Sequence, residues 1–156
     1  MKKLILIPLF LAISALVAGC SQPAAIATPD VIFTKWITTA GTAPVVFNMA
    51  GVVSGDAGAG QLVGEVLEYS PTPTTTNIKA LYHINGGTHQ FTARLSVTQD
   101  NIKGTAVVNG VVTDGQMKGA EVRGSYQVIA PSGIINAQQG VGGDACYQGT
   151  LHIQPP

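Results

Sequence analysis

From residue 31 onward, apolar and polar residues alternate with a period of two, and glycine, asparagine, aspartate and proline break the alternation at short intervals. That period sends successive side chains to opposite faces of an extended chain, so the pattern predicts half-buried strands. Eight such segments follow one another, near residues 31–38, 44–53, 61–69, 77–84, 89–98, 104–113, 117–129 and 146–153. Nowhere do apolar residues recur at helical spacing over three turns. The expected fold is therefore all-β, with about eight antiparallel strands forming a closed or nearly closed up-and-down barrel; the alternative is a two-sheet sandwich. The short connections favour a meander.

Two hairpins fix expected faces. A two-residue loop at Gly86-Gly87 would pair Ile84 with His89, Tyr82 with Phe91 and Ala80 with Ala93. Ile78, Ala80, Tyr82, Ile84, Phe91, Ala93 and Leu95 then share the inner face, with His89 on the same side near the turn. Lys79, His83, Gln90, Thr92, Arg94 and Ser96 take the outer face. A turn at Asp114-Gly115 would pair Val111 with Lys118, Asn109 with Ala120 and Val107 with Val122. It places Asn109 inside, along with Ala120, Val122, Gly124, Tyr126 and Val128, and leaves Glu121, Arg123, Ser125 and Gln127 to solvent. A buried asparagine needs hydrogen-bond partners, which backbone or a ligand could supply.

The N-terminus follows a different rule. Met1-Lys2-Lys3 precedes an apolar run of 14 residues, Leu4 to Val17, which suits the hydrophobic region of a secretory signal and is too short for an ordinary membrane-spanning helix. The run ends in Leu16-Val17-Ala18-Gly19-Cys20. This sequence resembles the lipobox of bacterial lipoproteins. The resemblance implies cleavage before Cys20, acylation (such as palmitate) of the new N-terminal cysteine, and residence in the cell envelope as a lipid-anchored protein. Ser21, in place of an aspartate, implies the outer membrane in a Gram-negative host, and otherwise the outer face of the cell membrane. The expected organisation is a signal peptide over 1–19, a lipidated cysteine and flexible linker over 20–30, and a single barrel domain over 31–156. The proline-containing, weakly hydrophobic stretch from Ser21 to Asp30 reads as a spacer.

Charge removes several function classes. Without Lys2 and Lys3 the chain keeps six basic residues against eight acidic ones, a net charge of −2. No basic surface for nucleic acid is expected. Beyond Cys20 the only cysteine is Cys146, so a lipidated Cys20 leaves it no intramolecular disulfide partner. A small buried or half-buried structural cysteine is the expected role.

Candidate chemistry is sparse. His83, His89, His152, Asp56 and Asp144 form the pool of metal ligands, and none shows a ligand-pair spacing, so no metal is expected. His152 is in phase with Cys146, Gln148 and Thr150, whereas Tyr147, Leu151 and Ile153 take the core phase. Glu65 and Glu68, three apart on a strand, would point to opposite faces and could not form a carboxylate dyad. The glycine-rich loop Ser54 to Gly60 leads into a strand rather than a helix, which argues against a phosphate cradle. No cofactor motif and no Gly-x-Ser-x-Gly occur. The polar connection from Gly133 to Asp144 is the longest.

The positive expectation comes from barrel geometry. Eight strands enclose a space that side chains just fill, or that holds one small ligand where inward residues are small. Ala80, Ala93, Ala120 and Gly124 beside Tyr82, Phe91 and Tyr126 describe such an interior, and Tyr82, His89, Asn109 and Tyr126 are the candidate ligand contacts. In strand number and spacing the domain resembles the small barrels of the allene oxide cyclase and dirigent type, and more loosely the lipocalins. Lys35-Trp36 lacks the glycine two residues before the tryptophan that marks a lipocalin. Three readings follow: a non-enzymatic lipoprotein whose barrel binds a small apolar ligand or a protein partner; a structural or adhesive envelope module with a solid core; and a barrel-type isomerase or cyclase. An interior void of about 300 Å³ or more, the size of small-molecule sites, would favour binding or catalysis over a solid module.

Overall fold

The protein was analysed as a computed structural model, which describes residues 28–129 and 146–155. Cys20, its preceding signal and the Gly133 to Asp144 connection lie outside the described residues. Eight strands follow in chain order: β1 (Asp30–Ala40), β2 (Phe47–Gly55), β3 (Gly60–Pro71), β4 (Thr75–Gly86), β5 (Gln90–Asp100), β6 (Thr105–Gly115), β7 (Glu121–Ile129) and β8 (Cys146–Gln154). Each pairs antiparallel with its neighbour, and β8 returns to β1, closing the barrel. Closure pairs each described strand with a neighbour on both sides, which removes the free outer strands of an open sheet.

The inner face is largely apolar, and buried side chains from every strand fill it: Val31 and Phe33 of β1, Met49 of β2, Leu62 of β3, Tyr82 of β4, Leu95 of β5, Val112 of β6, Val122 of β7 and Leu151 of β8. Charged residues such as Lys79, Glu121 and Arg123 stand outside. The packed apolar interior differs from the polar lumen of a membrane-spanning barrel, while the outer wall mixes these charges with exposed apolar residues such as Ile32, Val52, Val63 and Val107. Glycines on β7 and β8 let the two strands pack closely. A Cβ on Gly124 would lie 2.2 Å from the Thr150 carbonyl oxygen, and one on Gly149 would lie 2.7 Å from Cβ of Tyr126.

The first hairpin keeps its expected faces but not its register. Asn85 pairs with Gln90, Ile84 with Phe91 and Tyr82 with Ala93, two residues away from a tight Gly86-Gly87 turn. The loop is longer because the neighbouring β2–β3 turn captures its amides. Thr88 and His89 N–H groups donate to the Ala57 carbonyl at 2.8 and 3.2 Å, and Gly87 N–H donates to Ala59 at 3.1 Å. A shift of two preserves side-chain parity, so Ala80, Tyr82, Ile84, Phe91, Ala93 and Leu95 are all buried as expected. Ala57, fully buried, plugs this end of the barrel.

At the second hairpin the register slips by an odd number, and β6 turns over. Asn109 pairs with Arg123, and Gly110 with Val122. Asn109 is therefore exposed on the outer wall, and Ala106, Val108 and Val112 take the interior instead. Asp114 and Gly115 do not turn, because β5 holds them in its ladder: Gly115 pairs with Phe91, and Gln90 and Gln116 exchange hydrogen bonds of 2.9 and 3.0 Å. The chain reverses one step later, with positive φ at Met117 (63°) and Gly119 (90°). The faces of β7 are as expected, except that Val128 is 38% exposed.

A bulge between Val66 and Glu68 corrects a further expectation. It inserts one residue and resets parity, so Glu65 and Glu68 both reach the outer face rather than opposite ones, and Tyr69 swings to the barrel end. There Glu68 pairs with Lys79 at 2.9 Å, and Glu65 lies 4.0 Å from His83.

Candidate functional site

Strands β1, β3, β5 and β7 all finish at one end of the barrel, where β2, β4, β6 and β8 begin. Among the described residues, the interior at that end is not filled. A cavity of about 230 Å³ opens there, walled by Ile37, Phe47, Met49, Val66 and Ile78 on its apolar side. Tyr69, 46% exposed, stands at the rim and packs edge-on against Phe47 with ring centroids 5.4 Å apart. The void falls short of the roughly 300 Å³ expected to favour binding or catalysis over a solid module, so only a compact occupant would fit.

The floor of the cavity is built around a lysine. Lys35 lies on the inward phase of β1, between Phe33 and Ile37, and is 3% exposed. Its stem fits because its partner across the ladder is Gly51; a Cβ there would stand 3.1 Å from Lys35 Cβ. Four aromatic rings surround its Nζ, with centroids at 4.4 Å (Tyr126), 4.7 Å (Tyr82), 5.4 Å (Tyr147) and 5.6 Å (Phe33). The Tyr82 hydroxyl is hydrogen-bonded to Nζ. Among the described residues no carboxylate pairs with this amine.

Electrostatics follow from that enclosure. Removing an ammonium from water without a counter-charge disfavours the charged form, and burial pulls the Lys35 amine from its ordinary 10.5 down to about 7. The ring faces offset part of the lost hydration. Burial also pushes the phenols up, Tyr82 and Tyr126 well above the ordinary tyrosine value and Tyr147 in the same direction, with repulsion from neighbouring ionised groups adding to it: Tyr126 and Tyr147 on Tyr82, Tyr147 and Tyr69 on Tyr126, and Tyr69 and Cys146 on Tyr147. All three stay protonated when Lys35 is neutral, so they remain hydrogen-bond donors. Tyr126 donates to Gln99 Oε1 at 2.9 Å, and Thr76, buried at the same end, donates to Asn101 Oδ1 at 3.0 Å.

Of the residues the sequence singled out, Tyr82 and Tyr126 come together here, both lining the cavity. His89 does not. It sits half-buried in the β4–β5 loop at the opposite end, where its amide helps to hold Ala57. Asn109 points outward from the wall. Lys35 was missed because the surrounding Phe33-Thr34-Lys35-Trp36 breaks simple alternation: Trp36, on the outer phase, is itself buried, together with its β8 partner Cys146. The signal that could have found it is a lysine in phase with Val31, Phe33 and Ile37 on a strand whose other inward positions are all apolar.

Comparison with protein-family models, with curated proteins and with solved structures finds no match for this chain.

Proposed function

We propose that this chain is an envelope lipoprotein, anchored by lipid on Cys20, whose barrel binds a small, largely apolar molecule at the cavity above Lys35. The observation that carries the binding reading is the pairing of a void with a buried lysine that no carboxylate among the described residues accompanies. A solid structural module would gain stability by filling that position with an apolar side chain of the same length, since an unpaired buried cation is among the costliest groups a core can hold. The apolar walls suit a hydrocarbon or aromatic body, and Lys35 with Tyr82 offers one polar end. The anchoring reading rests on Leu16-Val17-Ala18-Gly19-Cys20 following an apolar run of signal length. Two or more acyl chains suffice to hold a protein of this size at a membrane.

Saturation-transfer NMR with hexanol and benzyl alcohol tests the pocket. The wild-type chain transfers saturation to both alcohols, and Ile37→Trp, which fills the mouth from β1, abolishes the transfer. Equal signals from both chains would place binding elsewhere, and no signal from either would end the reading.

A further inference from the structure

We propose that Lys35 is a carbonyl-capturing residue: its Nζ condenses with an aldehyde held in the cavity to form an imine. The inference rests on the pocket reading above and assigns it a ligand class. Its geometry is that of an amine whose only polar partner among the described residues is a phenol, at the floor of an apolar void that opens to one end of the barrel. A lysine meant to hold a carboxylate would work best charged, whereas desolvation favours the neutral, nucleophilic amine. At neutral pH the neutral fraction of Lys35 exceeds that of an exposed lysine on the order of a thousandfold.

The step balances without any other reactant. The Nζ lone pair attacks the carbonyl carbon, the C=O π electrons move to oxygen, and that oxygen and the nitrogen exchange a proton to give a neutral carbinolamine. Its hydroxyl leaves as water after accepting a proton from Tyr82, the C=N bond forms as the C–O bond breaks, and the nitrogen returns its remaining proton to Tyr82. Aldehyde plus amine gives imine plus water, with nothing oxidised or reduced. Tyr82 is in place for both transfers because its hydroxyl already touches Nζ. Closely packed rings around Nζ keep bulk water away from the C=N bond once it forms.

The purified full chain, incubated with hexanal and sodium cyanoborohydride at pH 7 and mapped by peptide mass spectrometry, tests this. Lys35 should carry the reduced hexyl adduct at least tenfold ahead of Lys79, Lys103 and Lys118. Excess hexanol should protect it, and Tyr82→Phe should slow labelling several-fold with the fold intact. Lys35 labelled no faster than the surface lysines would overturn the proposal. If hexanol still binds in that case, the pocket reading stands and only the carbonyl chemistry falls; if hexanol fails to bind as well, both fall.

Discussion

Replacing Lys35 with methionine should make this protein more stable, and by an amount that depends on pH in a predictable way. Methionine matches the length of the lysine stem and brings no charge to the ring cluster. In the unfolded chain Lys35 titrates near 10.5, whereas in the barrel burial brings it to about 7. Between those values the unfolded chain binds more protons than the folded one, so wild-type stability rises with pH across that window and is lowest below it. At 1.36 kcal/mol for each tenfold step, charging Lys35 inside the barrel costs about 5 kcal/mol. The variant should therefore exceed wild type by about 5 kcal/mol at pH 6. The gap should close by about 1.4 kcal/mol per pH unit above 7, to about 2 kcal/mol at pH 9. The buried tyrosines enter only above their ordinary value of 10, since the folded state keeps their protons longer than the unfolded state does. Equilibrium urea unfolding of both full chains at pH 6, 7, 8 and 9 reads this directly, with Lys79→Met on the exposed face of β4 as a control that should stay within about 0.5 kcal/mol at every pH. Two parallel stability curves would refute the reasoning, because they would mean that Lys35 is charged in the folded barrel throughout.

Other expectations concern the anchor, the packing of the lysine stem and the cavity wall. Cys20→Ser should move the protein from the membrane to the soluble fraction on cell fractionation and abolish labelling with radioactive palmitate; retention without label would remove the lipobox reading. Gly51→Ala should cost about 1–3 kcal/mol in urea unfolding, because the new Cβ would lie 2.5 Å from the Thr34 carbonyl oxygen and crowd the Lys35 stem. Tyr126→Phe should lose about 0.5–1.5 kcal/mol of stability with its hydrogen bond to Gln99 and should alter hexanol binding. Asn109→Ala, on the outer wall, should leave binding unchanged within error in the same NMR assay. A loss of binding there would contradict the observed register of β6.

The architecture was legible because alternation and turn chemistry report parity, and parity survives errors of two residues. At Gly86-Gly87 the turn is longer than a glycine pair requires, yet every inward side chain of β4 and β5 is inward as read. At Asp114-Gly115 the same kind of evidence failed by an odd step. Hydrogen bonds from β5, which no local pattern encodes, hold that dipeptide in the ladder. That single slip placed Asn109 inside, and the Val66/Glu68 bulge did the same damage to Glu65 and Glu68. The candidate site was half legible. Tyr82 and Tyr126 are inward in the pattern, but which end of the barrel is hollow depends on side chains meeting across strands far apart in sequence. Lys35, at the floor of the cavity, sits where local reading expects a solvent-facing charge.

Strand direction has a further consequence. β1 enters the barrel at Asp30, and β8 leaves it at Gln154, beside the end that Ala57 plugs and opposite the hollow end. With the lipid on Cys20, the tether meets the domain at its plugged pole. If Cys20 is lipidated as proposed, the mouth lies at the end of the barrel farther from the attachment point, and a ligand of the cavity would be exchanged at that far end.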